Sequence, residues 1–386
     1  MLEAFASPLS LSKHEISMMK KYLILTFLLT IGWITLFSQE NTNELTVSNF
    51  KLIKLLTHPY PAGTQLSIAL VSGDDVSYVG YKKEKDTLMF CNNQDAVFEI
   101  GSITKLFTSA LLSDLVCNGA LNLDDSIGSI LPFKLKQSSK NEKPITYKTL
   151  SNHTAGIPRD PINYISDSYP GNPYAGFDNV LLVDYLKNLI NPAYTPGETY
   201  EYSNLGYAIL GYLLEVKTKK PYEALLQEKI FKKYNMHSTS SVREKITNHI
   251  VKGQDSIGKV LSNWDFNAIG PAGGVLSNVA DLSAFAKANF SNDSILSFQR
   301  QQTYQSNYAA LALGWNLFRF GGTGKPSGYF HAGGTGGYSS MLIVDTIDKL
   351  AIVVLSNVSC FHPKSSNIST LGFELLRNLY RSAITK

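Results

Sequence analysis

Cysteine is scarce in this chain, which has only three among its 386 residues: Cys91, Cys117 and Cys360. No Cys-x-x-Cys pair is present, so the ligand spacing of a zinc site is missing, and three cysteines are too few for a disulfide scaffold. We interpret all three as small apolar side chains. An oxidising compartment would permit one disulfide, whose two partners the sequence does not identify.

Two common hydrolase signatures are also absent. The chain contains neither the Gly-x-Ser-x-Gly turn of the α/β hydrolases nor the His-Glu-x-x-His helix of zinc peptidases. Residues 321–326 look like a phosphate-binding loop, but Arg319 stands where that pattern begins with Gly, and Pro326 stands where it ends with Ser or Thr. We predict no metal site and no cofactor.

A strong excess of one charge is lacking as well. Lys and Arg number 35 against 31 Asp and Glu, which gives a formal net charge of +4. Since no basic cluster marks the chain after its N-terminal segment, we predict no nucleic-acid partner. The length exceeds what one hydrophobic core usually supports, so we expect two packed subdomains. The 21 Tyr and 19 Phe favour an enclosed groove or a strand-rich core over a helical bundle.

An apolar run near the N-terminus predicts export. Two lysines precede sixteen mostly apolar residues, 22–37, and small polar residues follow from Ser38. This order is typical of a secretory signal, which we place at about residues 19–38. We therefore predict a periplasmic or secreted protein with no stable membrane insertion after cleavage. The run is short for a membrane span of about 20 residues, and an uncleaved anchor is the alternative.

The N-terminal extension and signal together occupy residues 1–38, and the mature chain occupies residues 39–386. We interpret residues 1–17 as the result of a start codon assigned too early, with Met18 or Met19 as the true start.

The order of elements in the mature chain indicates one sheet assembled from both chain ends. Apolar periodicity predicts a first helix at 44–57 and a hairpin of strands at 66–72 and 76–81. Further strands are predicted at 311–320, 338–345 and 350–356. The helices predicted between and after the strands cover residues 102–115, 180–190, 205–217, 222–234, 280–288 and 371–380.

We therefore predict an α/β (α+β) fold with an antiparallel sheet flanked by helices and an inserted, mostly helical subdomain. The sheet subdomain would cover about residues 44–125 plus 265–386, and the helical subdomain about residues 126–264. Residues 159–177 are rich in Pro, Tyr, Gly, Asp and Asn, which favours a long surface loop.

A serine and a lysine three residues apart form the strongest local signal. Residues three apart on a helix share a face, so Lys105 is expected one turn above Ser102. A serine hydroxyl needs a neighbour to take its proton, and a lysine can do so when burial and nearby positive charge lower its pKa. The same four-residue pattern also arises by chance, as an N-cap serine followed by a surface lysine.

The run Tyr202-Ser203-Asn204 supplies a second group of candidates. A phenol near a lysine ammonium can shuttle protons, because the cation favours the phenolate. Asn204 can donate to a substrate amide carbonyl and also hold the lysine in place. Ser-Asn before a helix is good N-cap chemistry too, so a plain turn is the alternative, and both interpretations can hold together.

The run His331-Ala332-Gly333-Gly334 supplies a third group, which leads into a predicted strand. Small residues let a substrate backbone approach an edge strand closely. A backbone N–H here can complete an oxyanion hole with that of Ser102. A flexible glycine-rich hairpin with an incidental histidine is the alternative.

Taken together, the three motifs resemble the serine β-lactamase and DD-peptidase family, and most closely its class C branch. Residues 98–105 nearly reproduce the class C active-site signature and depart from it only at Thr104, where Ser or Ala is usual. The second motif matches the family's Tyr-x-Asn. His331-x-Gly333 falls where the family has Lys-Thr-Gly or, in relatives, His-x-Gly. The resemblance covers about residues 50–380.

The resemblance implies a role for each candidate residue and a two-step reaction through an acyl-enzyme. Ser102 would be the nucleophile, and Lys105 and Tyr202 would transfer protons. Asn204 would position the substrate amide, and the N–H groups of Ser102 and Gly334 would form the oxyanion hole. His331 and Gly333 would belong to the third motif, which binds the substrate.

His331 is the main departure from true β-lactamases, because it removes a fixed positive charge that would meet a substrate carboxylate. A neutral imidazole can still donate or accept a hydrogen bond, and protonation would restore the charge below its ordinary pKa of about 6.5. We expect a monomeric hydrolase acting on a β-lactam, a D-amino peptide or a related small or peptidoglycan-derived amide or ester. A carboxylic esterase and a non-catalytic penicillin-binding sensor on the same fold are the alternatives.

Overall fold

The computed structural model describes residues 47–164, 171–319 and 328–384. The predicted signal and the suggested start at Met18 or Met19 lie outside these ranges. Within them, no helix combines the length and the apolar character needed to cross a membrane. All three cysteines are free, and only Cys117 is exposed.

Strands dominate both ends of the described chain, and most helices lie between them. The strands are β1 Gln65–Ser72, β2 Asp75–Glu84, β3 Thr87–Phe90, β4 Phe98–Glu99, β5 Ser139–Lys140, β6 Lys143–Pro144, β7 Leu276–Ser277, β8 Tyr304–Gln305, β9 Ala310–Leu311, β10 Asn316–Phe318, β11 Gly328–Gly334, β12 Ser339–Asp345 and β13 Leu350–Ser356. The α-helices are α1 (residues 47–57), α2 Thr104–Cys117, α3 Tyr147–Ser151, α4 Asn179–Asp184, α5 Asn204–Thr218, α6 Tyr222–Leu226, α7 Gly270–Gly273, α8 Val279–Ala288, α9 Ser294–Gln299 and α10 Asn367–Ile384.

Within the described ranges, nine of these strands form one antiparallel sheet in the order β3-β2-β1-β13-β12-β11-β10-β9-β8. The first and last strands of the sequence are neighbours in this sheet, where Leu66 pairs with Ser356 and Val71 with Ala351. This pairing confirms the prediction of a sheet built from both chain ends and flanked by helices. The limits given above for the two subdomains stay predictions.

Helices cover both faces of the sheet, which explains the uninterrupted apolar run in β13. Alternate side chains of a strand point to opposite faces. Ile352 and Val354 pack into the core shared with α1 and α10, whereas Val353 and Leu355 pack into the larger core shared with α2, α5 and α8. A strand buried on both faces favours apolar residues at successive positions, and all seven residues of β13 are buried.

Helix α2 runs through the middle of the larger core. Eleven of its 14 residues are buried, as expected of a helix that is apolar or small on all sides. Its hydroxyl groups find internal partners. Thr108 Oγ1 donates to Pro271 O at 2.7 Å, and the hydroxyls of Ser109 and Tyr207 lie 2.9 Å apart. These contacts fix α2 against α7 and α5.

Three predicted elements are divided in the structure. The helix predicted at 180–190 is α4 followed by a π-helical turn, and the helix predicted at 222–234 is α6 followed by another. The strand predicted at 311–320 is split into β9 and β10, and its last residue lies outside the described ranges. Gly314 stands between them with φ of +77°, and a Cβ there would lie 2.8 Å from Ser109 Oγ. Close approach to α2 therefore interrupts this strand.

Candidate active site

The three sequence motifs meet at one groove between the sheet and the central helices. The first lies in a 3₁₀ turn ahead of α2, and the second stands at the start of α5. The third forms the end of β11 itself rather than a lead into a strand. Lys105 lies beneath the groove with 0% of its surface exposed. The predicted residues that line the groove are Ser102, Tyr202, Asn204, His331, Gly333 and Gly334.

The groove has two lobes, and Ser102 borders both of them. The strand lobe is a cavity of about 690 Å³ lined by Tyr202 and by the end of β11. The aromatic lobe is a cavity of about 270 Å³ lined by four aromatic rings, those of Tyr174, Trp264, Phe266 and Phe361. A substrate bound across Ser102 would therefore place its two halves in different surroundings.

A glycine lets the nucleophile turn approach β11. Gly101 has a φ of +50°, and a Cβ at this position would lie 2.5 Å from the backbone N of Gly334. On the opposite side, the N–H of Ile100 donates to Val275 O at 3.2 Å. A residue with a side chain at position 101 would be strained at this φ and would clash with the backbone of Gly334. Glycine at this position therefore allows the turn to hold Ser102 against the end of β11.

The end of β11 depends on small residues for the same contact. A Cβ on Gly333 would lie 2.0 Å from Ile100 O. The hydroxyl of Ser340, on the neighbouring strand β12, donates to that same carbonyl at 2.8 Å. The main chain of Gly334 is thereby held close to the turn that carries Ser102, which is where a second oxyanion-hole donor is needed.

Lys105 makes three hydrogen bonds in this buried position. Its Nζ lies 3.1 Å from Ser102 Oγ, 2.9 Å from Asn204 Oδ1 and 2.7 Å from Ala272 O. Burial lowers the pKa of the ammonium well below its usual range, and the positive charge of Arg159 lowers it further. A neutral amine would keep two N–H donors for Asn204 and Ala272 and turn its lone pair towards Ser102, which suits a general base.

Tyr202 stands in the structure as a phenol and not as a phenolate. Burial raises the pKa of its hydroxyl, and this outweighs the hydrogen bond to Ser102, which lowers it. Lys105 Nζ lies over the ring, 4.8 Å from its centroid. The sequence-based expectation that the lysine favours the phenolate is therefore wrong for the resting site, and Tyr202 is better suited to donate a proton than to accept one.

His153, which the sequence reasoning did not select, contacts the ring of Tyr202 and the backbone of the residues on both sides of it. Its backbone O accepts a hydrogen bond from Glu201 N at 2.8 Å, and its Nδ1 accepts one from Ser203 N at 3.1 Å. Its ring lies against that of Tyr202, with centroids 4.3 Å apart. His153 has a φ of +62°, in the left-handed region that non-glycine residues adopt rarely and that Asn, Asp and His adopt more often than the others. His153 lies outside the three sequence motifs, and no local pattern in the sequence points to this contact.

Asn204 is occupied on both sides of its amide. Its Oδ1 accepts from Lys105, as predicted, and its Nδ2 donates to Asp160 Oδ1 at 2.9 Å and to the hydroxyl of Tyr174 at 3.1 Å. Both N–H donors are therefore engaged. Donation from Asn204 to a substrate carbonyl, which the sequence suggested, requires one of these two bonds to be displaced. Asp160 and Tyr174 were not predicted, because they lie in or beside a loop without periodicity.

His331 is buried and neutral. Its ring Nδ1 lies 2.7 Å from Ala332 O, a contact that requires a proton on Nδ1. Burial lowers the pKa of the imidazole to about 3, and the charge of Lys105 contributes to the shift. The expectation that protonation near pH 6.5 restores a positive charge here is therefore wrong, because the folded protein does not offer a solvated site for the imidazolium.

Glu99 connects β4, the strand just before the turn that carries Ser102, to the wall of the aromatic lobe by hydrogen bonds. Its Oε1 accepts from Asn263 Nδ2 at 2.6 Å and from Trp264 N at 2.9 Å. Burial raises the pKa of this carboxyl, while the hydrogen bonds lower it. The residue belongs to the signature around Ser102, but its partners are distant in sequence and so could not be predicted.

The fold and the three motifs that meet at its groove correspond to a known family of serine hydrolases. The profile of the beta-lactamase family matches residues 66–368, and the chain belongs to this family. Both the family and the fold class predicted from the sequence are thereby confirmed.

Individual proteins that are similar to this chain support the same assignment. Protein flp of Staphylococcus aureus (strain NCTC 8325 / PS 47) is 29% identical over 279 residues, which cover 68% of this chain and 53% of that protein. Penicillin-binding protein 4 of Amycolatopsis lactamdurans is 27% identical over 290 residues, covering 68% of this chain and 72% of that protein. The crystal structure of a β-lactamase/D-alanine carboxypeptidase from Pseudomonas syringae superposes with a TM-score of 0.71 at 20% identity, covering 86% of this chain and 99% of that one. This chain spans about half the length of the flp protein.

Proposed function

We propose that this protein is an exported hydrolase that cleaves an amide or ester bond through an acyl-enzyme on Ser102. The observation that carries the proposal is the buried Lys105, which contacts Ser102 Oγ at 3.1 Å and whose pKa is lowered. Removal of the Ser102 proton is required for acylation, so this contact favours covalent chemistry at Ser102 over simple non-covalent binding, and turnover then separates an enzyme from the sensor alternative.

In the proposed acylation, Lys105 removes the hydroxyl proton of Ser102 while Oγ forms a bond to the substrate carbonyl carbon. The N–H groups of Ser102 and Gly334 stabilise the oxyanion. As the C–N or C–O bond breaks, Tyr202 donates its proton to the leaving atom, and the proton on Lys105 then returns to Tyr202. Water next attacks the acyl carbon, gives its proton to the same machinery, and releases the acid while Ser102 is reprotonated.

The position of Tyr202 orients the substrate. Tyr202 lines the strand lobe but not the aromatic lobe. Because the leaving group must receive its proton from Tyr202, we place the leaving group in the strand lobe and the acyl group in the aromatic lobe. The rings there suit an apolar or aromatic acyl group.

The substrate class follows from the family and from this orientation. We propose a β-lactam, a D-amino peptide or a related small or peptidoglycan-derived amide or ester, processed by a monomeric enzyme of the class C branch in the periplasm or outside the cell. A carboxylic esterase is the second candidate. It is favoured by one observation, the neutral His331 with a pKa of about 3, since this residue supplies no charge for a substrate carboxylate.

The test is a pair of assays on the mature protein, one with a chromogenic cephalosporin and one with a short-chain p-nitrophenyl ester. Ser102→Ala is the control, because it removes only the nucleophilic oxygen. Cephalosporin turnover that disappears in Ser102→Ala would establish a β-lactamase, and ester turnover with only stoichiometric cephalosporin labelling would establish an esterase or peptidase. Labelling of Ser102 without turnover of either compound would support the sensor and contradict the proposal.

A further inference from the structure

Arg159 stands at the junction of the two lobes. It lines both of them, and its guanidinium carbon lies 4.9 Å from the centroid of the Tyr202 ring. Its backbone O accepts hydrogen bonds from Asn204 N at 2.7 Å and from Leu205 N at 3.1 Å. The main chain of Arg159 is therefore anchored to the first turn of α5, while its side chain is 63% exposed to the groove and solvent.

The charge of Arg159 is only weakly neutralised by the protein. In the described part of the chain, one carboxylate pairs with it, and Nε lies 3.6 Å from Asp160 Oδ2. The other oxygen of Asp160 already accepts hydrogen bonds from Asn204 and Tyr174. Asp160 lines the aromatic lobe and not the strand lobe. The guanidinium borders both lobes, and its pairing with Asp160 leaves donors that can bind a ligand in the strand lobe.

The strand lobe is otherwise suited to an anion. Among the described residues that line it, none is a carboxylate, Arg159 is the one permanent cation, and His331 is neutral. Ser339 also lines the lobe, is 4% exposed, and has an Oγ without a hydrogen-bond partner in the described structure. Besides Ser102, Tyr200 and Tyr202, the hydroxyl side chains that line the lobe are those of Ser339, Ser340, Ser365, Ser366 and Ser369.

We propose that Arg159 determines specificity by binding a carboxylate on the leaving group of the substrate. The inference rests on the proposed function, because the leaving group enters the strand lobe only if Tyr202 protonates it there. Arg159 is well suited to this task, since its planar guanidinium binds a carboxylate through two parallel hydrogen bonds. A carboxylate in the strand lobe would meet this cation and the serine hydroxyls, without a competing negative charge from the residues described there.

The experiment compares two esters whose leaving groups differ by methylation of one carboxylate, the charged 3-carboxyphenyl acetate and its neutral methyl ester, 3-(methoxycarbonyl)phenyl acetate. The quantity measured is the ratio of kcat/KM for the charged ester to kcat/KM for the neutral one. We expect Arg159→Gln to lower this ratio about tenfold, as for a partly exposed hydrogen bond to a charged group. Arg159→Lys should lower this ratio less than Arg159→Gln does, because lysine keeps the positive charge but lacks the planar group that makes two parallel hydrogen bonds.

The ratio separates binding of a carboxylate from a general effect on the site. Arg159 also lowers the pKa values of Lys105 and Tyr202, so its removal alters the hydrolysis of both esters, but that change cancels in the ratio. Arg377→Gln serves as the matched control, because Arg377 lies on α10 and is paired with Glu374. It removes one positive charge outside the residues that line the groove, and the ratio should not change.

Two outcomes would overturn the inference in distinguishable ways. Equal ratios in wild type and Arg159→Gln, with turnover that still depends on Ser102, would exclude carboxylate binding by Arg159 and leave the proposed function intact. Turnover of both esters that is the same in wild type and Ser102→Ala would overturn the proposed function and this inference with it. Thermal melting of each variant, together with the partial activity of Arg159→Lys, controls for misfolding.

Discussion

The two lobes of the groove share a border at Ser102 and Arg159 and differ in the character of their other walls. The aromatic lobe is closed by rings that contact one another, with Tyr174 and Trp264 centroids 5.8 Å apart, and its polar groups bond each other in the network of Asn204, Asp160 and Tyr174. The strand lobe is larger, rich in hydroxyls, and bordered by the weakly paired Arg159.

In the proposed mechanism, this difference would let one serine process a substrate with two unlike ends. In the aromatic lobe, Asn204, Asp160 and Tyr174 already bond one another, so we expect this lobe to select mainly by shape and apolar contact. In the proposed mechanism the strand lobe contains the proton donor, Tyr202, and Arg159 stands weakly paired at its border, so we expect this lobe to select by the chemistry of the leaving group. The predictions below test this division, first at the shared centre and then on each side of it.

We expect the largest loss of kcat/KM from Lys105→Ala, because the proposed general base acts on every substrate, whatever occupies the two lobes. We expect kcat/KM to fall about 10³-fold or more for the cephalosporin and for the p-nitrophenyl ester alike, as when a general base is lost. Lys54→Ala, on the exposed side of α1, is the matched control. A loss of less than tenfold on both substrates, in a variant with native melting behaviour, would exclude Lys105 as the base.

Tyr202→Phe should distinguish substrates by their leaving group. We expect about a 10²-fold loss of kcat/KM for an amide, whose nitrogen must be protonated to leave, and a loss of only a few-fold for a p-nitrophenyl ester, whose phenolate leaves unaided. Tyr207→Phe is the control, since Lys105 Nζ also lies 5.4 Å from the centroid of that ring. Equal losses for amide and ester in Tyr202→Phe would contradict the role of proton donor.

The fold was predictable from the sequence where burial imposes a simple pattern. β13 was predicted with its observed limits, residues 350–356, because a strand buried on both faces is apolar at nearly every position. The strand predicted at 311–320 was wrong in its continuity. What interrupts it is the contact of Gly314 with α2, some 200 residues earlier in the sequence, and no local pattern encodes such a contact.

The candidate site was predictable to the extent that its residues occur in short motifs. Ser102 and Lys105 are found together because helix geometry fixes their spacing. His153, Arg159 and Asp160 act on the second motif through space, and their contacts depend on how α5 packs beside the loop after α3. The state of protonation was also beyond the sequence, because the pKa values of Tyr202 and His331 are set mainly by burial.

The contact between His153 and the second motif predicts a smaller, selective loss. In His153→Phe the ring remains beside Tyr202, but the buried N–H of Ser203 loses its acceptor, which should cost about 1–3 kcal/mol in the free energy of unfolding. We expect kcat to fall about tenfold as Tyr202 loses its fixed position.

His153→Asn is the informative partner variant. Asn tolerates the positive φ of this position and offers an oxygen to Ser203 N, so it should retain most of the stability and more of the activity. In a Tyr202→Phe background the effect of His153→Phe on kcat should vanish. If the two losses multiply instead, His153 does not act through Tyr202.

We expect His331 to influence the pH dependence of the free energy of unfolding more than it influences the rate of hydrolysis. Its pKa is about 3 in the folded protein and near 6.5 in the unfolded chain, so the unfolded chain binds a proton that the folded one does not between these values. The free energy of unfolding should therefore fall as the pH drops through this window, by up to about 2 kcal/mol between pH 7 and pH 5 from this residue. Urea unfolding of wild type and His331→Gln at both pH values measures this contribution, since the variant has no imidazole to titrate. An equal fall in both proteins would show that burial of His331 does not suppress its protonation, and the strand lobe would then gain a second cation in acid.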